Sequence, residues 1–184
     1  MIQISFWTGE AVFTAIWILV RVIVWIVRGR IDLKREAVLL IMYVNLAVII
    51  RFTFYPLETV DGHIQPLLFD PSQIYPFHIN PVPFSNLNVY ADKKSMWTEI
   101  IGNIALFIPS GIVIPIVYKK LNSLWKTLAL GAGISLSIEL IQLFFYTRTT
   151  DTNDFIFNTF GVFIGYCIYA LVKRLFKRIE VKDA

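Results

Sequence analysis

Hydrophobic positions form five long runs along the chain, and short polar segments separate them. A helix needs about 20 predominantly apolar residues to cross the hydrocarbon core of a bilayer. Each run is close to that length. The pattern therefore predicts five transmembrane helices, at roughly residues 7–27, 37–55, 100–118, 124–146 and 155–172.

Composition indicates the same fold class. Of the 184 residues, 57% are hydrophobic and 16% are charged, whereas a soluble domain is usually about one quarter charged. The single cysteine, Cys167, lies in an apolar run, which is typical of a small buried hydrophobe. Residues 1–6 carry no lysine or arginine, so we expect the first run to remain a spanning helix. We predict an all-α integral membrane protein with one domain over residues 1–184.

Basic residues predict the orientation of the helices, because cytoplasmic segments of membrane proteins are rich in lysine and arginine. They are abundant between helices one and two, between three and four, and after five (Arg28, Arg30, Lys34, Arg35; Lys119, Lys120, Lys126; Lys173, Arg174, Lys177, Arg178, Lys182). The opposite side has only Lys93, Lys94 and Arg148. We therefore expect the N-terminus outside and the C-terminus in the cytoplasm. This scattered pattern is not that of a nucleic-acid-binding protein.

A long segment, residues 56–98, joins helices two and three and holds six of the eight prolines. Closely spaced prolines prevent a regular helix, yet the segment is too apolar for a solvated linker. We predict an ordered extracytoplasmic loop that lies at the membrane interface. A partly disordered loop is the alternative.

Polar side chains within the apolar runs are concentrated near the predicted outer ends of the helices. Ionisable groups in a membrane usually face the protein interior or a water-filled cavity. We therefore predict an outward-facing polar pocket, with eight candidate binding residues: Arg51, Asn103, Glu139, Gln142, Arg148, Asp151, Asp154 and Asn158. A structural network is the alternative, for example ion pairs of Arg51 with Glu139 or Arg148 with Asp154, with Asp151 as a helix N-cap.

Residue spacing places several of these groups on common helix faces. Ser135, Glu139, Gln142 and Tyr146 share one face of helix four, since residues three and four apart are neighbours on a helix. Gly161 and Gly165 predict a close helix contact, which we expect between helices four and five. Arg21 is expected to extend toward the cytoplasmic interface.

Several segments resemble those of the VanZ-like family. Residues 103–115 (NIALFIPSGIVIP) resemble its N-x-x-L-F-x-P-x-G segment, and residues 135–142 (SLSIELIQ) resemble its S-x-x-I-E-x-x-Q helix. Residues 148–161 (RTTDTNDFIFNTFG) resemble R-x-x-D-x-x-D-x-x-x-N-x-x-G, and residues 80–84 (NPVPF) resemble a short P-F motif. The best-matched core spans about residues 80–165. The resemblance implies a multi-pass plasma-membrane protein of Gram-positive bacteria, linked to resistance to the lipoglycopeptide teicoplanin, but implies no reaction.

Three functions are consistent with these residues. The first is binding of a membrane lipid, a lipid-linked or cell-wall molecule, or the lipoglycopeptide. The second is an intramembrane enzyme in which Glu139 and Asp154 act as general acid and base on a lipid or wall precursor; carboxylates of this kind also suit a divalent cation. The third is a transporter, which the apolar inner halves of the helices disfavour. We expect no other cofactor, because His63 and His78 stand alone and no zinc spacing occurs.

Overall fold

All five apolar runs are helical in the structure, a computed structural model that describes residues 1–55, 59–85, 93–145 and 147–182, with side chains up to residue 176. The helices are α1 (Phe6–Arg28), α2 (Leu33–Phe54), α3 (Lys93–Val117), α4 (Leu124–Gln142) and α5 (Thr152–Lys182). Each is long and apolar enough to cross a membrane. The predicted fold class is confirmed, and the chain is a multi-pass membrane protein.

Five helix boundaries differ from the prediction by three residues or more. Helix α2 begins earlier, at Leu33, and α5 continues further, to Lys182. Helix α3 begins earlier, at Lys93, and α5 begins earlier, at Thr152. Polar residues can continue a helix beyond the hydrocarbon core, and hydropathy does not detect them. Helix α4 ends earlier than predicted, at Gln142, although the next residues are apolar. The predicted end of this helix, Tyr146, lies outside the described residues.

The described part of the long connecting segment contains short strands. These are β2 (Thr59–Val60), β3 (His63–Ile64), β4 (Leu67–Phe69) and β5 (Ile79–Asn80). Strands β2 and β3 form a hairpin whose two turn residues, Asp61 and Gly62, both have positive φ (51° and 75°), as the favoured two-residue hairpin turn requires. Residues 56–58 and 86–92 lie outside the described residues, so the extracytoplasmic loop as a whole stays a prediction.

The chain forms two compact units. Unit 1 comprises Met1–Pro81 and Ser137–Asp151, and unit 2 comprises Val82–Leu136 and Thr152–Ala184. Helix α4 contributes its first part to unit 2 and its last part to unit 1. The single domain over residues 1–184 stays a prediction.

In unit 1, α1 and α2 run antiparallel and are linked near both ends. At one end the hydroxyl of Tyr55 donates to the carbonyl of Ser5, at 3.2 Å. At the other end Arg21 forms a two-nitrogen ion pair with Glu36, with N–O distances of 2.9 and 2.5 Å. Arg21 thus has a carboxylate partner that the hydropathy pattern did not indicate. Strand β1 (Ile2–Ile4), which precedes α1, pairs antiparallel with β4.

In unit 2, α3 and α5 run parallel, and their backbones are in close contact. A Cβ atom on Gly161 would overlap the carbonyl oxygen of Ile104, and one on Gly165 would overlap that of Ile108. Gly111 of α3 is equally close to the backbone of α5. The expectation that Gly161 and Gly165 contact helix four is therefore wrong; they contact α3. Glycine spacing indicates a close approach but does not identify the partner helix.

We predict that Gly165→Ala destabilises the protein by about 1–3 kcal/mol, because the added methyl group must displace a backbone carbonyl. Gly102→Ala is the matched control, since a Cβ at Gly102 of α3 has no atom within 4 Å. Thermal unfolding in detergent measures both variants. Equal stability of the two variants would contradict the close α3–α5 contact.

Candidate functional site

Two of the predicted binding residues of unit 1 bind the last backbone carbonyls of α2. The final carbonyls of a helix have no donor within the helix, and lipid cannot supply one. The side-chain amide of Gln142 donates to the carbonyl of Thr53, at 2.9 Å. Arg148 donates two hydrogen bonds to the carbonyl of Phe54, from Nε at 2.8 Å and from Nη2. These side chains therefore terminate α2.

Positive charge is concentrated at the same end of α2. Arg51 donates from Nη1 to the carbonyl of Tyr55, at 3.1 Å. Arg148, in the turn between α4 and α5, is close enough to Arg51 for the two charges to interact. Burial, and then the charge of Arg51, lower the pKa of the Arg148 guanidinium. The negative end of the α2 dipole favours cations here and offsets part of their repulsion.

The Glu139 carboxylate lies at the centre of a second contact in unit 1. Glu139 is buried, and its Oε2 accepts a hydrogen bond from the backbone N–H of Asp151, at 2.9 Å. Its backbone carbonyl, near the end of α4, accepts from the hydroxyl of Thr150, at 2.8 Å. Glu139 therefore fixes both the end of α4 and the residue immediately before α5. The N-terminal end of a helix dipole favours negative charge, so the start of α5 is a favourable place for a carboxylate.

Strand β5 extends this contact. It pairs in parallel with β6 (Thr150–Asp151), with Asn80 opposite Asp151. The Asn80 amide donates to Asp151 Oδ2, at 3.0 Å. Asp151 occupies the position before α5 that the N-cap alternative assigned to it. Asn80 was part of a recognised motif but was not among the candidate residues, because its spacing from Asp151 along the chain gives no sign of their contact.

In unit 2, polar residues at the start of α5 bind α3, α4 and the segment before α3. Asn103 donates from its amide to Asp154 Oδ1, at 2.6 Å, and Asn158 donates to the hydroxyl of Ser135, at 3.0 Å. A further buried residue, Asn153, accepts from the backbone N–H of Phe84 through Oδ1, at 2.7 Å. Asn153 was missed because it falls outside the spacing of three and four residues that relates Asp151, Asp154 and Asn158.

The structure thus places the eight candidate residues in two clusters. Unit 1 holds Arg51, Glu139, Gln142, Arg148 and Asp151, and unit 2 holds Asn103, Asp154 and Asn158. The predicted polar face of α4 is buried at Ser135, Glu139 and Gln142. One outward pocket formed by all eight residues stays a prediction, as does acid–base cooperation of Glu139 with Asp154.

Two buried oxygens in these clusters are unused acceptors. Gln142 Oε1 in unit 1 and Asn158 Oδ1 in unit 2 have no hydrogen-bond partner among the residues that the structure describes. Buried polar atoms are normally paired with protein or ordered water, so both oxygens are available to a hydroxyl, an amide or water. Within the described ranges, no group of three or more His, Cys, Asp or Glu side chains could hold a metal ion. A divalent cation at the carboxylates stays a prediction.

The chain is similar to known proteins over a range that includes all eight candidate residues. The sequence model of the VanZ/LLP1 family matches residues 39–173. Protein VanZ of Enterococcus faecium is 38% identical over 73 residues, which are 40% of this chain and 45% of that protein. The chain therefore matches less than half the length of this relative. No solved structure matches the chain.

We predict that Thr150→Val lowers the free energy of unfolding by about 1 kcal/mol, because the Glu139 carbonyl loses its hydroxyl donor. Thr159→Val is the matched control, since the Thr159 hydroxyl binds the Phe155 carbonyl inside α5, where the helix already provides a donor. Denaturant unfolding in detergent measures the difference. If the two variants lost equal stability, the Thr150 hydroxyl would not be important for terminating α4.

Proposed function

The chain belongs to the VanZ/LLP1 family, and on that premise we propose that it is a bacterial plasma-membrane protein that binds an envelope molecule at its extracytoplasmic face. The ligand class is a membrane lipid, a lipid-linked or cell-wall molecule, or a lipoglycopeptide such as teicoplanin. A role in glycopeptide resistance is part of this proposal and follows from family membership.

The burial of Glu139 is the observation that carries the proposal. Only 4% of this residue is exposed, and an ionisable group within a membrane protein is costly enough that its presence favours a functional role. Its Oε2 accepts a hydrogen bond from the backbone N–H of Asp151, a donor that does not titrate. Such a carboxylate is held in a fixed position. This arrangement supports a preorganised binding site better than a group that exchanges protons with a substrate.

We propose the same orientation that the basic residues predict, with the N-terminus outside and the C-terminus in the cytoplasm. In unit 1 the start of α1 and the end of α2 lie together, at Ser5 and Tyr55. The opposite ends of both helices adjoin the basic segment around Arg28 and Arg35. The positive-inside rule assigns that segment to the cytoplasm, which leaves the Glu139 contact near the outer surface.

We predict that Glu139→Gln and Asp154→Asn each abolish teicoplanin resistance in a bacterium that depends on this protein. Each substitution removes charge but keeps an oxygen that can accept the existing hydrogen bond. Glu99→Gln is the matched control, because it makes the same change on an exposed residue of α3 and should leave resistance intact. The measurements are drug susceptibility and the amount of protein in the membrane.

The other outcomes distinguish the alternatives. Loss of the variant proteins from the membrane would support a purely structural network. Unchanged resistance with normal protein levels would contradict the proposal. Conversion of a lipid or wall precursor by the purified protein, lost in Glu139→Gln, would instead establish the intramembrane enzyme with Glu139 and Asp154 as acid and base.

For the orientation, we predict that Val60→Cys reacts with a membrane-impermeant maleimide in intact cells, whereas Lys120→Cys reacts only after lysis. Both positions are exposed, one in the β2–β3 hairpin and one after α3. A Cys167→Ser background removes the native thiol. The reverse labelling pattern would invert the proposed topology.

A further inference from the structure

Unit 1 contains a cavity of about 340 Å³ that is separate from the Glu139 contact. It is lined by strands β1 and β4 and by the turn between α4 and α5. Its polar lining consists of Gln3, Gln65, Thr147 and Arg148. Small-molecule sites have volumes of about 300–1,000 Å³, so this cavity can hold a small ligand or one end of a larger one.

Arg148 gives this cavity a positive charge that no carboxylate of the described residues neutralises. Its Nε and Nη2 bind the Phe54 carbonyl, which is a neutral acceptor. Over the described ranges its Nη1 has no protein partner, and no carboxylate lies within salt-bridge distance of the guanidinium. Burial, and after it the like charge of Arg51, lower the pKa of the Arg148 guanidinium. An arginine nevertheless stays protonated in a protein.

We propose that this cavity binds an anionic group, a carboxylate or a phosphate, that is attached to an apolar body. The planar guanidinium presents donors that match the oxygens of both groups. The Gln3 amide and the Thr147 hydroxyl supply further donors around it. The Gln65 amide donates one N–H to the His63 carbonyl, at 3.3 Å, and has a second N–H.

Apolar side chains complete the cavity and define the rest of the ligand. Phe54, Leu67 and Leu68 line it, and such walls favour a ligand that places hydrocarbon beside the anion. This inference rests on the proposed function, because the extracytoplasmic position of the cavity depends on the proposed orientation. It specifies that the ligand carries a negative charge and that Arg148 binds the charged group.

Calorimetric titration of the full chain in micelles of dodecyl maltoside, an uncharged detergent without phosphate, and in a phosphate-free buffer, tests the proposal. The probes are N-acetyl-leucine, its neutral analogue N-acetyl-leucinamide, and monobutyl phosphate. We expect saturable binding of at least one anion and none of the neutral analogue. Binding of the carboxylate alone would indicate a peptide-like source, and binding of the phosphate alone would indicate a phospholipid or phosphate-linked source. Arg148→Gln should weaken binding about tenfold or more, as expected for loss of a hydrogen bond to a charged group.

A second variant is needed because Arg148 also terminates α2. Leu68→Trp fills the cavity and leaves Arg148 in place, so it should also weaken anion binding about tenfold or more. Val60→Trp is the matched control, since it adds the same side chain to the exposed hairpin outside the cavity. It should bind the anion as the wild type does.

Two results would overturn the proposal. One is the absence of binding of either anion by the folded wild-type protein. The other is equal affinity of Leu68→Trp and the wild type. If anion binding failed while Glu139→Gln still abolished resistance, only the cavity assignment would be lost. If the anion bound while Glu139→Gln retained resistance, the cavity would stand and the proposed function would be contradicted.

Discussion

The C-terminal end of α2 is stabilised by hydrogen bonds from two side chains, one at the C-terminal end of α4 and one in the turn that follows it. A spanning helix must satisfy its final carbonyls, and hydrocarbon offers no donor. Gln142 and Arg148 provide those donors to Thr53 and Phe54. These hydrogen bonds connect segments that lie about ninety positions apart in the chain. Because the bonds fix the end of α2 and the turn before α5 together, the remaining polar groups of unit 1 have a defined framework.

The same side chains serve structure and, in the proposed function, recognition. Arg148 uses part of its guanidinium to hold a carbonyl and presents the rest to the cavity. Gln142 uses its amide nitrogen and leaves its oxygen unused within the described part of the chain. A ligand would therefore meet donors and acceptors that are already oriented, which reduces the entropy lost on binding. It also means that removal of a whole side chain changes the fold and the site at once.

The number and type of the helices were predictable because bilayer thickness fixes the length of an apolar run. Partner assignments were less accessible. Gly161 and Gly165 correctly indicated a close approach, but their partner is α3, where Gly111 supplies a complementary gap. Arg148 was predicted to bind a ligand or to pair with Asp154, whereas its hydrogen-bond partner in the structure is the Phe54 carbonyl. Residue patterns describe side chains, so they cannot reveal contacts in which the acceptor is a backbone carbonyl or in which distant residues such as Asn80 and Asp151 pair.

The contacts of Gly161 and Gly165 with α3 determine the position of Asp154 along α3. The carbonyls of Ile104 and Ile108 each face a glycine of α5, and sliding α5 by one turn would bring Phe157 or Tyr169 against one of them. Neither ring fits where a single methyl group already overlaps, so the contact excludes a shift of one turn in either direction. Asp154 lies about 16 Å along α5 from Gly165, at about 1.5 Å per residue. Its level beside Asn103 is thus set by two residues that have no side chain at all.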